Sequence, residues 1–399
     1  MISFDQAYQT TIKKIKPLDE EIVELLAAEG RVTAKELLSK VWSPSLDVSL
    51  KDGYAIQSQD IQDASPEQGL SLTVVGSIAA GGDWSGVLQS GQAVRILSGA
   101  PIPAGAQAVV AEEFTLQEDT KLLVYNNAEP GRNVLKKGED VKQGDFLVGE
   151  GSLLTPGMVG LLASAGYMEI PVVRTPRVGI IATGDEVVAP GKPLPEGKLY
   201  ASNLVTLAAW CHKYGFAVET DVLPDDADVL KKGLNTALER YDAVITSGGA
   251  WTGDRDLVKR VLVDLGWKME YHHIRMGPGK AVGFGMVGRK PVFILPGGPP
   301  SNHIAFLQLA LPGLKCLAGW KDPILPSMPV VLSETIRGQI DWTQLIHGKL
   351  TRKDETISFK PIKQKSRLQM ISTSDALVMI PEGVNKIIEG AITTAYLLK

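Results

Sequence analysis

Cysteine is almost missing from the 399-residue chain, with Cys211 and Cys316 its only two. Two thiols cannot build a disulfide framework or a cysteine-rich zinc site, so a reducing, cytoplasmic setting is expected. An excess of one charge is missing as well. The 41 Lys and Arg nearly balance the 45 Asp and Glu, leaving a net charge of −4. Neither nucleic acid nor a membrane is therefore an expected partner. Long unbroken apolar runs do not occur. Residues 151–168 are interrupted by Pro156 and glycines, and residues 292–314 contain Pro296-Gly297-Gly298-Pro299-Pro300. A spanning helix needs about 20 predominantly apolar residues. The opening MISFDQAYQT has no charged-then-apolar signal pattern. No G-x-x-x-x-G-K-[ST] is present, and no G-x-G-x-x-G follows a strand and opens a helix. Both facts argue against P-loop ATPases and dehydrogenases.

What is present is an ordinary globular composition, 44% apolar and 22% charged, long enough for two to three domains at roughly 150 residues each. The first forty residues read as helices. Ser3 and Gln6 have capping-box spacing, and Pro17-Leu18-Asp19-Glu20-Glu21 opens a second run that ends at Gly30. Short apolar runs between turn residues follow, at 70–78, 92–97, 108–111 and 121–125, and mark a β-rich lobe. Residues 139–173 mix helix and turn signals and return to the N-terminal helices. From Arg177 the pattern is strand, loop, helix, repeated: strands at 178–182, 217–222, 243–246 and 292–295, helices at 203–214, 226–240, 256–265 and 301–311. This predicts a multidomain α/β protein with a doubly wound, mostly parallel sheet. The final seventy or so residues return to strands and predict a small β-barrel or sandwich. The expected units are a discontinuous linker domain (1–40 plus 139–176), a β-rich lobe (41–138), the α/β domain (177–322) and the C-terminal barrel (323–399).

Three strands of the α/β region run into polar or glycine-rich loops just before helices. These are Ala182-Thr183-Gly184-Asp185-Glu186, Thr246-Ser247-Gly248-Gly249 and Pro296-Gly297-Gly298-Pro299. Ligands of open α/β sheets bind beyond the carboxyl ends of strands, where bare N–H groups face anions. Three such loops on one edge predict a phosphate-bearing ligand. Carboxylates accompany them: Asp185 and Glu186, of which only one is expected to face the ligand, Asp242 before the second strand, and Asp254 and Asp256. Hard oxygens beside phosphate suit Mg²⁺, although Asp256 alternatively caps the following helix. Arg275-Met276-Gly277-Pro278-Gly279-Lys280 places a cation in a turn. His272 and His273 are expected to face opposite ways on a strand, which disfavours a two-histidine metal site.

Several stretches fall in one order along the chain: Asp52-Gly53-Tyr54-Ala55, Arg95-Ile96-Leu97-Ser98-Gly99-Ala100-Pro101-Ile102-Pro103 and Gly138-Glu139-Asp140. Thr183-Gly184-Asp185-Glu186, Ser202-Asn203, Ser247-Gly248-Gly249 with Gly253-Asp254 and Asp256, Pro278-Gly279-Lys280 and Leu295-Pro296-Gly297 continue it. As an ordered set they resemble the molybdopterin molybdenumtransferase family, which includes MoeA and the gephyrin E domain. The resemblance implies an elongated homodimer of four-domain subunits. It also implies a reaction in which adenylylated molybdopterin and molybdate bind, Mg²⁺ assists, and molybdenum enters the dithiolene with release of AMP. It implies catalytic roles for Asp52, Ser98, Asp140, Glu186 and Asp242, the first three closing the site from a second subunit. Thr183, Gly184, Asp185, Asn203, Ser247, Gly248, Gly249, Lys280, Pro296, Gly297, Gly298, Pro299 and Ser301 would hold the pterin nucleotide, and Asp254, Asp256 and Glu186 the metal. Other proteins of molybdenum-cofactor biosynthesis are implied as further partners. The chain departs from the family pattern at Lys51, Trp251, Gly277, Ala281 and Gly298, and the strand that usually bears an arginine reads Leu345-Ile346-His347; Lys51 and Arg367 are candidates to restore positive charge. The alternatives are a tungsten-inserting homologue, a non-catalytic molybdopterin-binding scaffold, and an adenylyltransferase or nucleotide pyrophosphatase.

Overall fold

A computed structural model describes residues 1–248, 257–363 and 365–399. Gly249, Trp251, Gly253, Asp254 and Asp256, all singled out above, lie outside the described residues.

The strand–helix alternation forms a six-stranded sheet in the order Ala217–Leu223, Arg177–Thr183, Ala243–Ser247, Lys290–Leu295, Gly283–Val287, Lys268–His272. The first four strands are parallel and the last two antiparallel. Alternate side chains enter two cores. Ile180, Ile245 and Phe293 meet Leu204 and Leu207 on one face, while Ile181, Val244 and Val292 meet Leu230, Leu234 and Leu262 on the other. Burial of both faces is why these strands read as continuous apolar runs. Each such leucine contributes about 2 kcal/mol by leaving water. The Ala227–Arg240 helix begins where Asp226 accepts N–H bonds from Asp228 and Val229, which satisfies two of its first orphan donors. The register pairs Thr183 with Leu223, Ala182 with Ser247 and Ser247 with Leu295. The carboxyl ends of the parallel strands therefore share one edge, and their loops emerge side by side.

The β-rich lobe is a six-stranded sheet that includes Leu70–Ile78, Gln92–Ile96, Ala108–Ala111 and Lys121–Val124, close to the expected runs. The capping box at Ser3 and Gln6 is formed, and it opens the helix Phe4–Lys14. The second N-terminal helix is not. Glu20–Glu24 is a strand paired antiparallel with Glu169–Val173, followed by a single 3₁₀ turn at Leu25–Ala27. Non-local pairing overrides the helical propensity of Glu-Glu. It also joins residues on either side of the lobe around Leu37, Val148, Leu162 and Ile170.

The C-terminal strands close into a ring: Thr343–Lys353, Thr356–Pro361, Ser327–Leu332, Ile392–Leu397, Ala376–Ile380, then back to Thr343–Lys353. A closed barrel leaves no free edge among these five strands. One connection was not expected. Ile274–Gly277, read as part of a turn, is a strand lying parallel to Thr343–Lys353 of the barrel on one side and to Ile2–Ser3 on the other. Ile274 and Met276 are fully buried, and that burial drives the pairing. His272 ends the preceding strand and His273 has φ of +63°. That break swings the two imidazoles together, 4.2 Å between ring centroids, instead of apart. Among the described residues no helix is long and apolar enough to cross a membrane.

Candidate functional site

The second and third strand-end loops are bonded together, and the first packs closely against them to make one floor. The Asn302 side-chain amide donates to Ser247 Oγ at 3.0 Å and to the Pro296 carbonyl at 2.9 Å. Asn203 donates to the Gly297 carbonyl at 2.8 Å and, more weakly, to Ser247 Oγ at 3.4 Å. The Gly248 N–H donates to the Leu295 carbonyl at 3.1 Å. Two glycines are demanded by this closeness. Gly248 has φ of +106°, and a Cβ there would lie 2.4 Å from the Thr183 carbonyl oxygen. Gly184 has φ of +139°, and a Cβ there would lie 2.6 Å from the Glu186 carboxylate. Neither position admits a side chain without strain.

Above this floor is a cavity of about 700 Å³, lined by Thr183, Glu186, Asn203, Ser247, Gly248, Gly297 and Pro299 among others. Its size suits a cofactor-sized ligand. Thr183 is 2% exposed, and its hydroxyl has no hydrogen-bond partner among the described residues. A buried hydroxyl left unpaired beside a cavity is a group waiting for a partner. The opposite wall comes from the C-terminal barrel, through Lys365, Ser366, Arg367 and Leu368. A second cavity of about 350 Å³ lies between Pro278-Gly279-Lys280, Pro296, Ser301 and the barrel residues Gln339, Trp342 and Gln344. Lys280 Nζ sits 5.6 Å from the Trp342 ring centroid, within cation–π range. A third, about 910 Å³, adjoins the first across Asn203 and Pro299, but Val205, Ala209, Trp210, Ile371 and Leu398 make it apolar.

The structure sorts the expected residues. Thr183, Glu186, Asn203, Ser247, Gly248, Gly297 and Pro299 line the first cavity, with Gly184 beside Glu186 and Gly298 beside Arg367, and Lys280, Pro296 and Ser301 line the second. Of the adjacent acids only Glu186 lines the first cavity. Asp185 turns away and accepts the Asp225 N–H at 3.1 Å. Burial, followed by the charges of Asp185 and Glu186, raises the Asp225 pKa. Asp242 is not at the site. It precedes the amino end of Ala243–Ser247, the far end from Ser247, and Arg174 grips it with two bonds of 2.7 and 2.9 Å. Burial alone would raise its pKa, but those bonds and the Arg177 N–H hold it below the usual carboxylate range. A residue leading a parallel strand points to the edge opposite the ligand loops, and that geometry corrects the expectation. In the lobe, Asp52 Oδ1 accepts the Ser98 N–H at 2.6 Å, and Asp140 donates its N–H to the Ser43 carbonyl at 3.1 Å. None of these three is among the residues lining the first cavity. Asn302 was missed because it hides in an apolar run, and Lys365 because nothing in the barrel sequence ties it to the α/β loops.

Fold and cleft together define a multidomain α/β protein with a ligand-sized opening at the carboxyl edge of a doubly wound sheet. Two family models match the chain: the MoeA N-terminal region (domain I and II) over residues 2–166, and a probable molybdopterin binding domain over residues 179–315. A molybdopterin molybdenumtransferase of Haemophilus influenzae is 36% identical over 329 residues, 81% of this chain and 80% of that protein. Molybdopterin molybdenumtransferase 2 of Mycobacterium tuberculosis is 33% identical over 378 residues, 92% of each. A crystal structure of a molybdopterin biosynthesis MoeA protein from Pyrococcus horikoshii superposes with a TM-score of 0.84 at 27% identity, covering 100% of both chains. The chain belongs to the molybdopterin molybdenumtransferase (MoeA) family.

Proposed function

We propose that the chain is a molybdopterin molybdenumtransferase that takes adenylylated molybdopterin and molybdate, inserts molybdenum into the dithiolene and releases AMP. The observation that carries this reading is the floor of three adjoining loops, the second and third bonded together, under a cavity of about 700 Å³ with the Thr183 hydroxyl unpaired beside it among the described residues. Bare loop N–H groups hold phosphate oxygens without carrying charge themselves. Ser247 is fixed by two amides and presents its hydroxyl at a set position. The second cavity, with Lys280 and the dipoles of Gln339 and Gln344, suits a tetrahedral oxyanion that needs donors. In this reading molybdate rests beside the third loop, near Pro296, which lines the same cavity.

Mg²⁺ usually takes one or two carboxylates and keeps several waters. Glu186, the acidic side chain lining the first cavity, fits that demand, and the resemblance adds Asp254 and Asp256. When bound, the ion would neutralise and orient a phosphoanhydride. Asp52, Ser98 and Asp140 lie away from this cavity's lining, and in this reading they close the site of a second copy in a homodimer. The free, buried thiols of Cys211 and Cys316 suit a reducing cytoplasm.

The test supplies adenylylated molybdopterin, Mg²⁺ and molybdate or tungstate, and follows AMP release with metal incorporation. AMP release that requires the oxyanion is expected. Release without it would make the protein a pyrophosphatase, and binding without turnover would make it a scaffold. Glu186→Gln is expected to lower turnover at least 100-fold, the scale of a lost electrostatic catalytic group, with the urea midpoint unchanged. Full activity in that variant would refute the role of Glu186.

A further inference from the structure

Two cations from the C-terminal barrel face the loop floor. Among the described residues lining the first cavity, Lys365 and Arg367 are the only positive side chains and Glu186 the only negative one. Both cations are exposed, and neither makes an ion pair among the described residues. Arg367 lies against the third loop. A Cβ added to Gly298 would find only Arg367 Nη1, at 4.0 Å, and a Cβ on Gly297 would meet only the Gly248 backbone, at 3.9 Å. The floor is therefore bare opposite the guanidinium. Among the described residues the floor offers hydroxyls and backbone groups but no cation, so a dianion resting there draws its charge compensation from the barrel wall. A guanidinium matches phosphate oxygens with two parallel donors, which an ammonium cannot do.

We propose that Arg367, assisted by Lys365, forms the cationic wall of this cavity and binds the phosphate or diphosphate of its ligand, so that the barrel completes an anion site begun by the α/β loops. This rests on the reading of the cavity given above, although its test is separate. The unpaired Thr183 hydroxyl, buried at the opposite side, is the second donor that the anion would satisfy. The two cations are binding residues here; the proposal assigns them no proton transfer.

The test is calorimetric titration of the full chain with AMP and, separately, with inorganic pyrophosphate. Variants are Arg367→Ala, Arg367→Lys, Lys365→Ala with Arg367→Ala, Lys280→Ala, and the remote control Lys360→Ala. Losing one charge-assisted pair weakens binding by roughly 10- to 100-fold. That loss is expected for both probes in Arg367→Ala, with a further loss in the double variant and partial recovery in Arg367→Lys. Lys360→Ala is expected to bind like wild type. A smaller salt dependence in Arg367→Ala than in wild type would support the proposal. Binding within twofold of wild type in both Arg367→Ala and the double variant overturns it. So does a loss confined to Lys280→Ala, or wild type that binds neither probe. The two readings fail separately. AMP release with unchanged KM in Arg367→Ala removes the cationic wall and leaves the transferase. Arg367-dependent pyrophosphate binding in a protein that never releases AMP keeps the wall and removes the transferase.

Discussion

The rim of the α/β sheet and the β-rich lobe both carry residues expected to act on the ligand, yet their surroundings are opposite. At the rim, Ser247 is buried and held by two asparagine amides, while Gly248 lies against the Thr183 carbonyl. In the lobe, Asp52 and Ser98 are exposed and share one hydrogen bond, from a backbone N–H. The rim is organised in advance and encloses volume, as a site that must position a reacting group requires. The lobe offers side chains on an open surface, useful only against a surface brought from elsewhere. That contrast is what the proposed site shared between two copies rests on.

The largest expected effect compares one glycine from each region. Gly248→Ala places a methyl 2.4 Å from backbone in a left-handed residue, and a loss of about 3 kcal/mol or more is expected. Gly91→Ala in the lobe has φ of +78° and open space, so about 1 kcal/mol is expected. Urea denaturation of both measures the difference, and equal losses would erase the contrast.

A pH effect comes next, at the seam between α/β unit and barrel. Trp210 Nε1–H donates to His303 Nε2 at 3.1 Å, so the proton of a neutral His303 is on Nδ1, 3.4 Å from His347 Nε2. Burial, followed by the charge of His347, pushes His303 down to about 3, and burial pushes His347 to about 4. Unfolded histidines titrate near 6.5, so below that pH the unfolded chain binds more protons and stability falls as pH falls. The slope is about 1.4 kcal/mol per pH unit for each histidine between the two values. His347→Leu is expected to flatten the slope of ΔG between pH 6.5 and 4.5; an unchanged slope would contradict the buried neutral pair.

Asn302→Leu sharpens the comparison next. It strips the Ser247 hydroxyl and the Pro296 carbonyl of their shared donor, and about 2 kcal/mol is expected to be lost, together with turnover. Ser98→Ala removes a hydroxyl from the exposed lobe and is expected to change stability by less than about 0.5 kcal/mol.

A further small effect separates the two ends of a single strand. Asp242→Asn breaks the pair with Arg174, for a loss of about 1 kcal/mol at pH 7 in this partly exposed position. Its folded pKa is depressed, so the pair's contribution is present above the unfolded value near 4 and is lost as pH falls through the lower folded value. The gap between variant and wild type should therefore close under acid, while turnover at pH 7 stays near wild type. A large loss of turnover would return Asp242 to the site.

The α/β unit was legible because its central strands, Arg177–Thr183, Ala243–Ser247 and Lys290–Leu295, are buried on both faces and end in Gly-containing loops, a local pattern. Thr183-Gly184, Ser247-Gly248 and Pro296-Gly297 converge because parallel register alone aligns their strand ends. Glu20–Glu24 was misread as helix because its partner, Glu169–Val173, lies far along the chain and only non-local pairing makes it a strand. Ile274–Gly277 was hidden for the same reason, its partners being the N-terminus and the barrel. Asp242 misled because its nearness in sequence to Ser247 spans the length of a strand, which separates the two edges of the sheet. Arg367 could be named as a spare cation, but only the fold puts it opposite Gly298.

The most direct test is the crystal structure of the protein soaked with AMP and Mg²⁺. The phosphate is predicted to rest over Ser247-Gly248 and Gly297, near the Thr183 hydroxyl and opposite Arg367, with Glu186 on the metal side. Nucleotide found instead in the apolar cavity beside Trp210, or on the exposed lobe around Asp52, would contradict the account.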